Sequence, residues 1–362
     1  MGIQGFYATL KKQGMPPLPT DLKNLSDCRV EIDLLGSFRS KVFSLLTDTY
    51  SPTRATEVGR IMASVLSSLL PFDPTQCCIH IDGAHNLEKQ VEHASRRSEL
   101  DKQQAKLDRA LRKMQERSDK GKWTARSTMT EIQKTLTQIF VLTPGDKQCL
   151  GKSLAGTYQV CHCATEADIC IAKVLKSSQD PTHHIVVSGD SDLLIHKDIP
   201  RVLRPIPRSN EFAIYTKIQA AQKLSLPGPD HLTLLGIVQK NDYSPNVFGL
   251  GMATNLKIIR QIPKIRDMNR MLQHYLTHAQ QLTQENLIPT RFDVPKRIFV
   301  DHVDTPLLAG SSSHTSSSSS ASASASASKS SSLTTNVSFI QSEAKFQQLK
   351  SLRAKRRQQQ HK

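Results

Sequence analysis

The chain has 362 residues, which is enough for one large domain with insertions or for two domains, each with a substantial core. Lysine and arginine outnumber aspartate and glutamate by 48 to 32, giving a formal net charge of +16. This excess favours a polyanionic partner such as nucleic acid.

The apolar runs and the cysteines narrow the class of protein further. No apolar run approaches the roughly 18 residues of a membrane span, and the amino terminus lacks the apolar core of a signal peptide. The seven cysteines are odd in number and scattered, which fits a reduced intracellular protein better than a disulfide framework. Cys161 and Cys163 are spaced closely enough for a zinc site, but no matching pair follows them.

Two short predicted strands in the first part of the chain each end at an aspartate. Residues 29 to 34 alternate in polarity and contain Asp33. Residues 77 to 81 form a second apolar run, which Asp82 follows directly. Helical periodicity fills the sequence between them, from about residue 37 and again over residues 54 to 70.

A long charged segment follows the second strand and predicts helices with one thin apolar stripe. Between His85 and Arg126 it holds twelve lysines or arginines against seven aspartates or glutamates. Taken alone, this pattern is also typical of a solvated helical hairpin or coiled-coil arm that has only a structural role. Gly121 and Trp123 indicate a bend within it.

The next segment is predicted to contain a turn, a strand and a helix. Thr143 to Asp146 has the composition of a turn, and residues 158 to 160 predict a short strand. A helix then begins near Thr165, which can cap it, with Asp168 at the reciprocal capping position. Capping of this helix would therefore be enough to explain Glu166 and Asp168 without any chemical role.

The stretch Ile-Val-Val-Ser-Gly-Asp-Ser-Asp from Ile185 is the centre of the prediction. Its β-branched run is typical of a buried parallel strand, so Asp190 and Asp192 come just after the carboxyl end, where open α/β sheets bind ligands. Two aspartates one residue apart repel each other unless a cation lies between them. The alternative is that Ser191 or Asp192 only caps the following helix.

The remaining sequence predicts two short strands, several helices and a disordered tail. Phe248-Gly-Leu-Gly251 is predicted to be a tight glycine turn between two helices. The segment 310–335 is nearly all serine and alanine near its start and predicts a flexible linker. The basic cluster Lys355-Arg-Arg357 is typical of a nuclear localisation signal or a nonspecific nucleic-acid arm. We therefore expect a nuclear protein, or otherwise a cytoplasmic one.

The acidic residues predict a divalent-metal site if they converge in the fold. Six of them follow strand ends or begin helices: Asp33, Asp82, Glu166, Asp168, Asp190 and Asp192. Such a cluster is electrostatically costly without cations, and ligands that are all oxygen suit Mg²⁺ or Mn²⁺. Two such ions about 4 Å apart support phosphodiester hydrolysis.

In this order and spacing, the motifs resemble those of the flap-endonuclease and XPG-like 5′ nucleases of the PIN-like fold. The resemblance covers roughly residues 1 to 265. The segments that carry it are Met-Gly-Ile-Gln-Gly-Phe-Tyr at the amino terminus, Ile-Asp-Leu at 32–34, His-Ile-Asp-Gly at 80–83, Thr-Glu-Ala-Asp from Thr165, Gly-Asp-Ser-Asp-Leu-Leu from Gly189, Leu-Leu-Gly at 234–236, Asp242-Tyr243 and the hairpin Phe-Gly-Leu-Gly from Phe248. Asp242 lies in a segment resembling the one that carries the family's seventh acid. The resemblance implies an α/β fold with a central, mostly parallel sheet, a helical arch insertion and a helix-hairpin-helix element.

The resemblance also implies functions for residues outside the acid set. Lys89 and Arg96, seven and fourteen residues after Asp82, match the family's catalytic lysine and arginine. Without the family they would be taken for surface residues. The resemblance implies that Gly2, Gly249 and Gly251 contact nucleic acid, and it allows a monovalent ion at the glycine turn. The implied activity is a structure-selective 5′ nuclease that uses two Mg²⁺ or Mn²⁺ ions on branched DNA with a 5′ single strand.

The sequence departs from the family's pattern in three places. Asp242 follows Gly236 by six residues where two are common, so the extra residues either displace this acid or loop outward. Arg39 stands where the family often has an aromatic residue, although Phe38 is adjacent. The tail has no recognisable sliding-clamp motif, and no membrane partner is expected.

The expected organisation is a nuclease domain with an insertion and extensions. Its parts are residues 1–84, the arch insertion 85–160, residues 161–265 with the hairpin, a helical extension 266–309, the linker 310–335 and the basic tail 336–362. A catalytically inactive scaffold in RNA or protein regulation is the main alternative, although none of the expected carboxylates is missing. A generic phosphatase-like hydrolase is a third, but it leaves the basic insertion and the glycine turn unexplained.

Overall fold

The computed structural model describes most of the chain outside its tail. The described residues are 2–3, 5–48, 54–84, 86–121, 126–139, 141–245, 247–283 and 287–305. The predicted linker 310–335 and basic tail 336–362 lie outside them. The chain divides into two compact units, one of residues 1–93 with 142–306 and one of residues 94–141 with 307–362.

The first unit is built on a six-stranded, mostly parallel sheet formed by the residues that the structure describes. The strands are β1 (Arg29–Asp33), β2 (Cys77–Ile81), β3 (Gln159–His162), β4 (His184–Val187), β5 (Arg201–Pro205) and β6 (Phe212–Thr216). Their order is β3-β2-β1-β4-β5-β6, and only the β5–β6 pair is antiparallel. The predicted α/β fold with a mostly parallel sheet is confirmed.

The central strands β1 and β4 are almost entirely buried. All four residues of β4 are buried, because helices cover both faces of a parallel sheet at its centre. The register aligns Ile32 of β1 with Ile79 of β2 on one side and with Val187 of β4 on the other. The chain moves outward from β1 in both directions, so the sheet has a topological switch point between β1 and β4. Ligands of open α/β sheets bind at the carboxyl ends of strands at such a point.

Helices surround this sheet and follow most of the predicted segments. They are α1 (Phe6–Lys12), α2 (Leu34–Asp48), α3 (Arg54–Leu69), α4 (Gln90–Asp119), α5 (Arg126–Ile139), α6 (Pro144–Leu154), α7 (Ala167–Ser177), α8 (Asp192–Ile195), α9 (Lys217–Lys223), α10 (Pro229–Val238), α11 (Met252–Ile259), α12 (Met268–Thr283) and α13 (Asp293–Lys296). The large buried cluster of the first unit extends from Ile3 to Phe299. None of the described helices is both long and apolar enough to span a membrane.

The described part of the second unit is a pair of helical segments. Most of α4 and all of α5 belong to it, and Leu107, Leu111 and Met114 of α4 form a small apolar cluster with Ile132 and Leu136 of α5. Gly121, after α4, has a positive φ of 64°, which suits the bend predicted there. Trp123 lies outside the described residues.

Local predictions fail at two helix starts. Thr143 to Asp146 was expected to be a turn, but it is the capping box of α6, with Pro144 in the first turn of that helix. Thr165 was expected to cap the next helix, but α7 begins at Ala167 and its N-cap residue is Glu166. The side chain of Asp82, which is distant in sequence, caps this helix instead.

The glycine turn lies between two helices, as predicted. Phe248 to Leu250 directly precede α11, and α10 ends earlier in the chain, at Val238. Asn241 explains the end of α10. Its amide donates to the carbonyl oxygens of Gly236 and Gln239, at 2.8 and 3.1 Å, and replaces the next helical turn with a side-chain bond.

Candidate metal centre

The seven predicted acids come from segments that the fold brings to one edge of the sheet. Asp33 ends β1, Asp82 follows β2, and Asp190 follows β4. The carboxyl ends of these adjacent parallel strands point the same way, so the three aspartates share an edge. Glu166, Asp168, Asp192 and Asp242 lie at the starts of α7 and α8 and in the loop after α10.

Asp33 is fixed by two hydrogen bonds and is almost fully buried. Its Oδ1 accepts from the Gly36 amide at 2.8 Å, and its Oδ2 accepts from the Ser188 hydroxyl at 2.8 Å. The same Ser188 oxygen accepts from the Asp190 amide at 3.0 Å, which ties the ends of β1 and β4 together. Burial, followed by the charges of Asp82 and Asp190, raises the pKa of Asp33 to about 8.

Asp82 connects the end of β2 to the start of α7. Its Oδ1 accepts a hydrogen bond of 2.8 Å from the amide of Ala167, the first residue of that helix. The backbone after β2 also pairs with the segment before α7, where the Ala84 amide donates to the Ala164 carbonyl at 3.0 Å. Asp82 therefore supplies the cap that Thr165 was expected to supply, and a residue far away in sequence fixes the helix start.

Glu166 lies where several charged and polar groups meet. The Lys89 ammonium forms a short ion pair with Glu166 Oε2 and lies 3.6 Å from Asp242 Oδ2. Tyr243 donates a hydrogen bond of 3.0 Å to the same oxygen of Glu166, and its ring lies 4.7 Å from the Lys89 ammonium. Burial, and then the negative charge of Asp168, raise the pKa of Glu166 to about 8 despite Lys89.

Asp190 and Asp192 lie beside the amino terminus of the chain. A Cβ atom added at Gly2 would lie 2.1 Å from Asp190 Oδ1 and 2.9 Å from Asp192 Oδ1, and the φ of Gly2 is 88°. Only glycine fits this position. Ser191 is the N-cap residue of α8, but its side chain forms no cap hydrogen bond. Capping by Ser191 therefore does not explain this motif. The Asp192 amide donates to Asp190 Oδ1 at 3.3 Å.

Electrostatic coupling links the seven carboxylates into one network. Burial raises the pKa of Asp168 to about 6, with Asp190 and Asp82 adding to the rise and Lys89 opposing it. Burial raises the pKa of Asp192 well above its usual range, and Asp190 and Asp242 add to this. The charges of neighbouring acids therefore disfavour the ionisation of Asp33, Glu166, Asp168 and Asp192.

The donor set fits divalent cations. Every candidate ligand is a carboxylate oxygen, the preferred donor of Mg²⁺ and Mn²⁺. Asp192 Oδ1 is buried and has no hydrogen-bond partner among the described residues, which is costly for a carboxylate unless a cation approaches it. The seven residues that could hold such ions are Asp33, Asp82, Glu166, Asp168, Asp190, Asp192 and Asp242.

The other predicted functional residues fall in different places. Lys89 is buried among the acids, and Gly2 contacts them, as described above. Arg96 lies on α4 in the second unit. Gly249 has a positive φ of 79° in the turn before α11, and Gly251 is the N-cap residue of that helix. Phe38 is buried, so it does not offer an exposed ring near Asp33 for base stacking.

Sequence reasoning missed three polar side chains at this centre. Tyr243 bonds Glu166, Ser188 bonds Asp33, and the ring of His196 has its Nε2 3.8 Å from Asp168 Oδ2. Tyr243 directly follows Asp242, and Ser188 lies two residues before Asp190, so proximity to a predicted ligand was the available signal. Nothing near His196 in the sequence indicates its partner.

The Asp242 loop resolves one of the open alternatives. Asn241 Oδ1 accepts hydrogen bonds of 2.8 Å from the amides of both Tyr243 and Ser244, forming a tight turn. Of the additional residues after Gly236, Ile237 and Val238 complete α10 and the others lead into this turn. Asp242 reaches Lys89 and the neighbouring acids.

Comparison with known proteins shows a similarity of fold. No family model matches the sequence, and no curated protein matches it. Among solved structures, the catalytic core of Rad2 in complex with DNA substrate matches at a TM-score of 0.48 and 13% identity, over 84% of this chain and 90% of that one. Human GEN1 in complex with Holliday junction DNA matches at a TM-score of 0.46 and 14% identity, over 84% of this chain and 68% of that one.

The similarity extends to a phage enzyme. A bacteriophage T5 flap endonuclease in complex with DNA and metal ions matches at a TM-score of 0.40 and 15% identity, over 74% of this chain and 89% of that one. These similarities cover most of the chain.

Proposed function

We propose that this protein is a divalent-metal-dependent, structure-selective 5′ nuclease that hydrolyses phosphodiester bonds in DNA. One observation carries the proposal: seven carboxylates from distant segments meet at the carboxyl edge of the sheet, where the pKa values of Asp33, Glu166, Asp168 and Asp192 are raised. Carboxylates that lie this close together repel one another, and divalent ions bound between them remove that repulsion.

The carboxylates would hold two Mg²⁺ or Mn²⁺ ions. Such ions activate a water molecule for attack and neutralise charge on a phosphodiester. Ser188 and the Gly36 amide orient Asp33 for this task, and Tyr243 orients Glu166. Hydrogen bonds of this kind reduce the conformational freedom of the ligands before any ion binds.

Lys89 is positioned to act on a phosphate close to the acids. Its ammonium is buried, and burial alone would lower its pKa, but the charges of Asp168, Glu166 and Asp242 raise the pKa above its usual value. The side chain is therefore charged at every physiological pH and can neutralise an anionic transition state. Arg96 belongs to the second unit, and its predicted role at a phosphate remains a prediction.

Duplex binding is proposed at the glycine turn. Phe248 is 85% exposed, and Gly249 and Gly251 carry no side chains to obstruct a phosphate backbone. Backbone amides at such a turn bind phosphates without reading sequence. We also propose that a monovalent ion binds at this turn. The basic cluster Lys355-Arg-Arg357 is proposed to direct the protein to the nucleus.

A cleavage assay tests the function. A labelled 5′-flap DNA duplex is incubated with Mg²⁺ and either wild-type protein, Asp190→Asn, or the control Asp267→Asn, which alters an exposed aspartate after α11. We expect wild type and the control to cut the substrate at similar rates and Asp190→Asn to be at least about 100-fold slower. If all three proteins cut at the same rate, or none cuts, the result would instead favour a catalytically inactive scaffold. Binding of RNA at the same affinity by all three proteins would then favour a regulatory role.

A further inference from the structure

Three cysteines and a histidine form a second cluster of ligands under the acidic edge of the sheet. The residues are His80 of β2, Cys161 of β3, Cys163 just after β3, and Cys170 of α7. One ligand atom from each residue lies within 4.8 Å of the ligand atoms of the other three. Register explains part of this arrangement, because His80 and Cys161 are directly paired across the two parallel strands.

The spacing of the ligand atoms suits tetrahedral zinc. Sulfur atoms bound to one tetrahedral Zn²⁺ at about 2.3 Å lie roughly 3.8 Å apart. The Sγ atoms of Cys161 and Cys170 are 3.6 Å apart, and Cys163 Sγ is 3.9 Å from His80 Nδ1. The Cys161–Cys170 separation is also well beyond the roughly 2.05 Å of a disulfide bond.

A buried carboxylate orients the histidine toward the sulfur atoms. Glu31 of β1 contacts His80 Nε2 through Oε2 at 2.7 Å, and its other oxygen contacts His184 Nδ1 at 3.1 Å. Glu31 is only 2% exposed, so its charge needs these partners. Burial would raise the pKa of Glu31, but His80 and His184 hold it below its usual value. A carboxylate behind a ligating histidine is the usual support of a protein zinc site.

The residue types of the cluster also suit zinc. Cysteine thiolates and a neutral imidazole are the ligands of structural zinc sites.

We propose that His80, Cys161, Cys163 and Cys170 bind one structural Zn²⁺ ion in a closed Cys₃His site. On binding, the protons held by the three thiols and by His80 Nδ1 are released to solvent, and His80 coordinates through Nδ1 while Nε2–H donates to Glu31. All four positions of a tetrahedral ion are then filled by protein, so the site has no place for a substrate.

The position of the site gives it a structural role. It joins β2, β3 and α7, the elements that also position Asp82, Glu166 and Asp168. Zinc would therefore hold the first turn of α7 against β2 and keep three of the acidic side chains in place. The proposal depends only on the four ligands and does not require the protein to be a nuclease.

A second grouping shares His80 and offers a competing assignment. Glu31, Cys78 and His80 also have ligand atoms within 4.8 Å of one another. That set has only one sulfur atom, and it would use the Nε2 that already bonds Glu31. The Cys₃His set supplies four ligands and leaves the Glu31 bond intact.

Metal analysis of the full chain tests the proposal. The protein is purified under reducing conditions without chelators, and zinc is measured by elemental analysis in wild type, Cys161→Ser, Cys170→Ser and two controls. The controls are Cys77→Ser, at a buried cysteine of β2 outside the cluster, and Cys149→Ser, at an exposed one. We expect about one zinc per chain in wild type and in both controls, and a loss of at least tenfold in the cluster variants.

Cobalt substitution gives a second measurement that does not depend on the variants folding. Co²⁺ bound by three thiolates produces intense sulfur-to-metal charge-transfer absorption, whereas Co²⁺ held by the acidic residues does not. The proposal is overturned if wild type contains no zinc and gives no such absorption with Co²⁺, or if mass spectrometry finds a Cys161–Cys170 disulfide in its place. It is also overturned if Cys78→Ser loses the metal while Cys161→Ser retains it.

Discussion

Lys89 and Glu166 form a buried ion pair at the centre of the acid cluster, although 77 residues separate them in sequence. The ammonium of Lys89 also approaches Asp242 at 3.6 Å. One cation therefore partly neutralises two of the seven carboxylates. This relationship makes the stability of the first unit dependent on charge at the candidate metal centre.

Removing the ammonium is predicted to destabilise the protein. Lys89→Met leaves Glu166 and Asp242 without their shared cation, and loss of one partner of a buried pair costs about 3 kcal/mol. We expect denaturant unfolding in the presence of a chelator to show this loss, and added Mg²⁺ to restore part of it. Lys223→Met, which removes an exposed lysine on α9, should leave the unfolding free energy unchanged. Equal effects of the two substitutions would contradict the role assigned to Lys89.

The buried acids predict an unusual dependence of stability on pH. The pKa values of Asp33 and Glu166 are raised to about 8 in the folded protein, so between about pH 4 and pH 8 the folded state binds more protons than the unfolded state. Their contribution is present at low pH and is lost as pH rises through this window. In a chelator, the melting temperature should therefore decrease from pH 5 to pH 8.

Divalent ions should oppose this decrease, because they favour the ionised carboxylates. Mg²⁺ is expected to raise the melting temperature more at pH 8 than at pH 5. Asp33→Asn, which cannot ionise, should reduce the slope measured in chelator. A slope that is the same in wild type and in this variant would show that Asp33 does not titrate in the window.

Those elements of the fold that depend only on a short stretch of sequence could be predicted. β1 alternates in polarity and β2 and β4 are mostly apolar, and the three strands end at or just before Asp33, Asp82 and the Asp190 segment, so both the strands and the acidic edge follow from local sequence. The start of α7 could not be predicted in this way. Its cap is Asp82, which is 85 residues from Ala167 and reaches it only through the pairing of β2 with β3.

The Cys₃His cluster shows the same limit. The spacing of Cys161 and Cys163 suggested half of a zinc site, and no second pair follows in the sequence. The remaining ligands are His80, on a neighbouring strand, and Cys170, one turn beyond the acidic start of α7. Neither has a motif of its own, so the grouping depends on sheet register and helix packing. Tyr243 likewise meets Glu166 only in the folded chain.

A single methyl group at Gly2 is predicted to disturb the metal centre. The added Cβ would lie 2.1 Å from Asp190 Oδ1 and force that carboxylate to move. We expect Gly2→Ala to weaken Mn²⁺ binding by at least about tenfold, because displaced ligands lose affinity on this scale. Gly5→Ala is the matched control, since Gly5 also has a positive φ, of 78°, but nothing lies near its Cβ position. The interpretation fails if both variants bind Mn²⁺ equally.

The glycine turn before α11 predicts a separable effect on duplex binding. Gly249→Ala places a side chain at a φ of 79°, which costs about 1 to 2 kcal/mol and should shift the turn. We expect about five- to tenfold weaker binding of a blunt DNA duplex in Ca²⁺, measured by fluorescence anisotropy. Gly14→Ala, at the same φ of 79° and also with nothing near its Cβ, should bind the duplex as wild type does. Matching affinities for the two variants would remove the turn from the proposed duplex interface.

The central claim is that distant carboxylates form one site for divalent ions, and calorimetric titration of zinc-replete protein with Mn²⁺ tests it most directly. We predict saturable uptake of about two ions per chain by wild type and by Asp267→Asn, and fewer or much weaker sites in Asp33→Asn and Asp192→Asn. Absence of saturable Mn²⁺ uptake by wild type, or the same uptake in all four proteins, would contradict it.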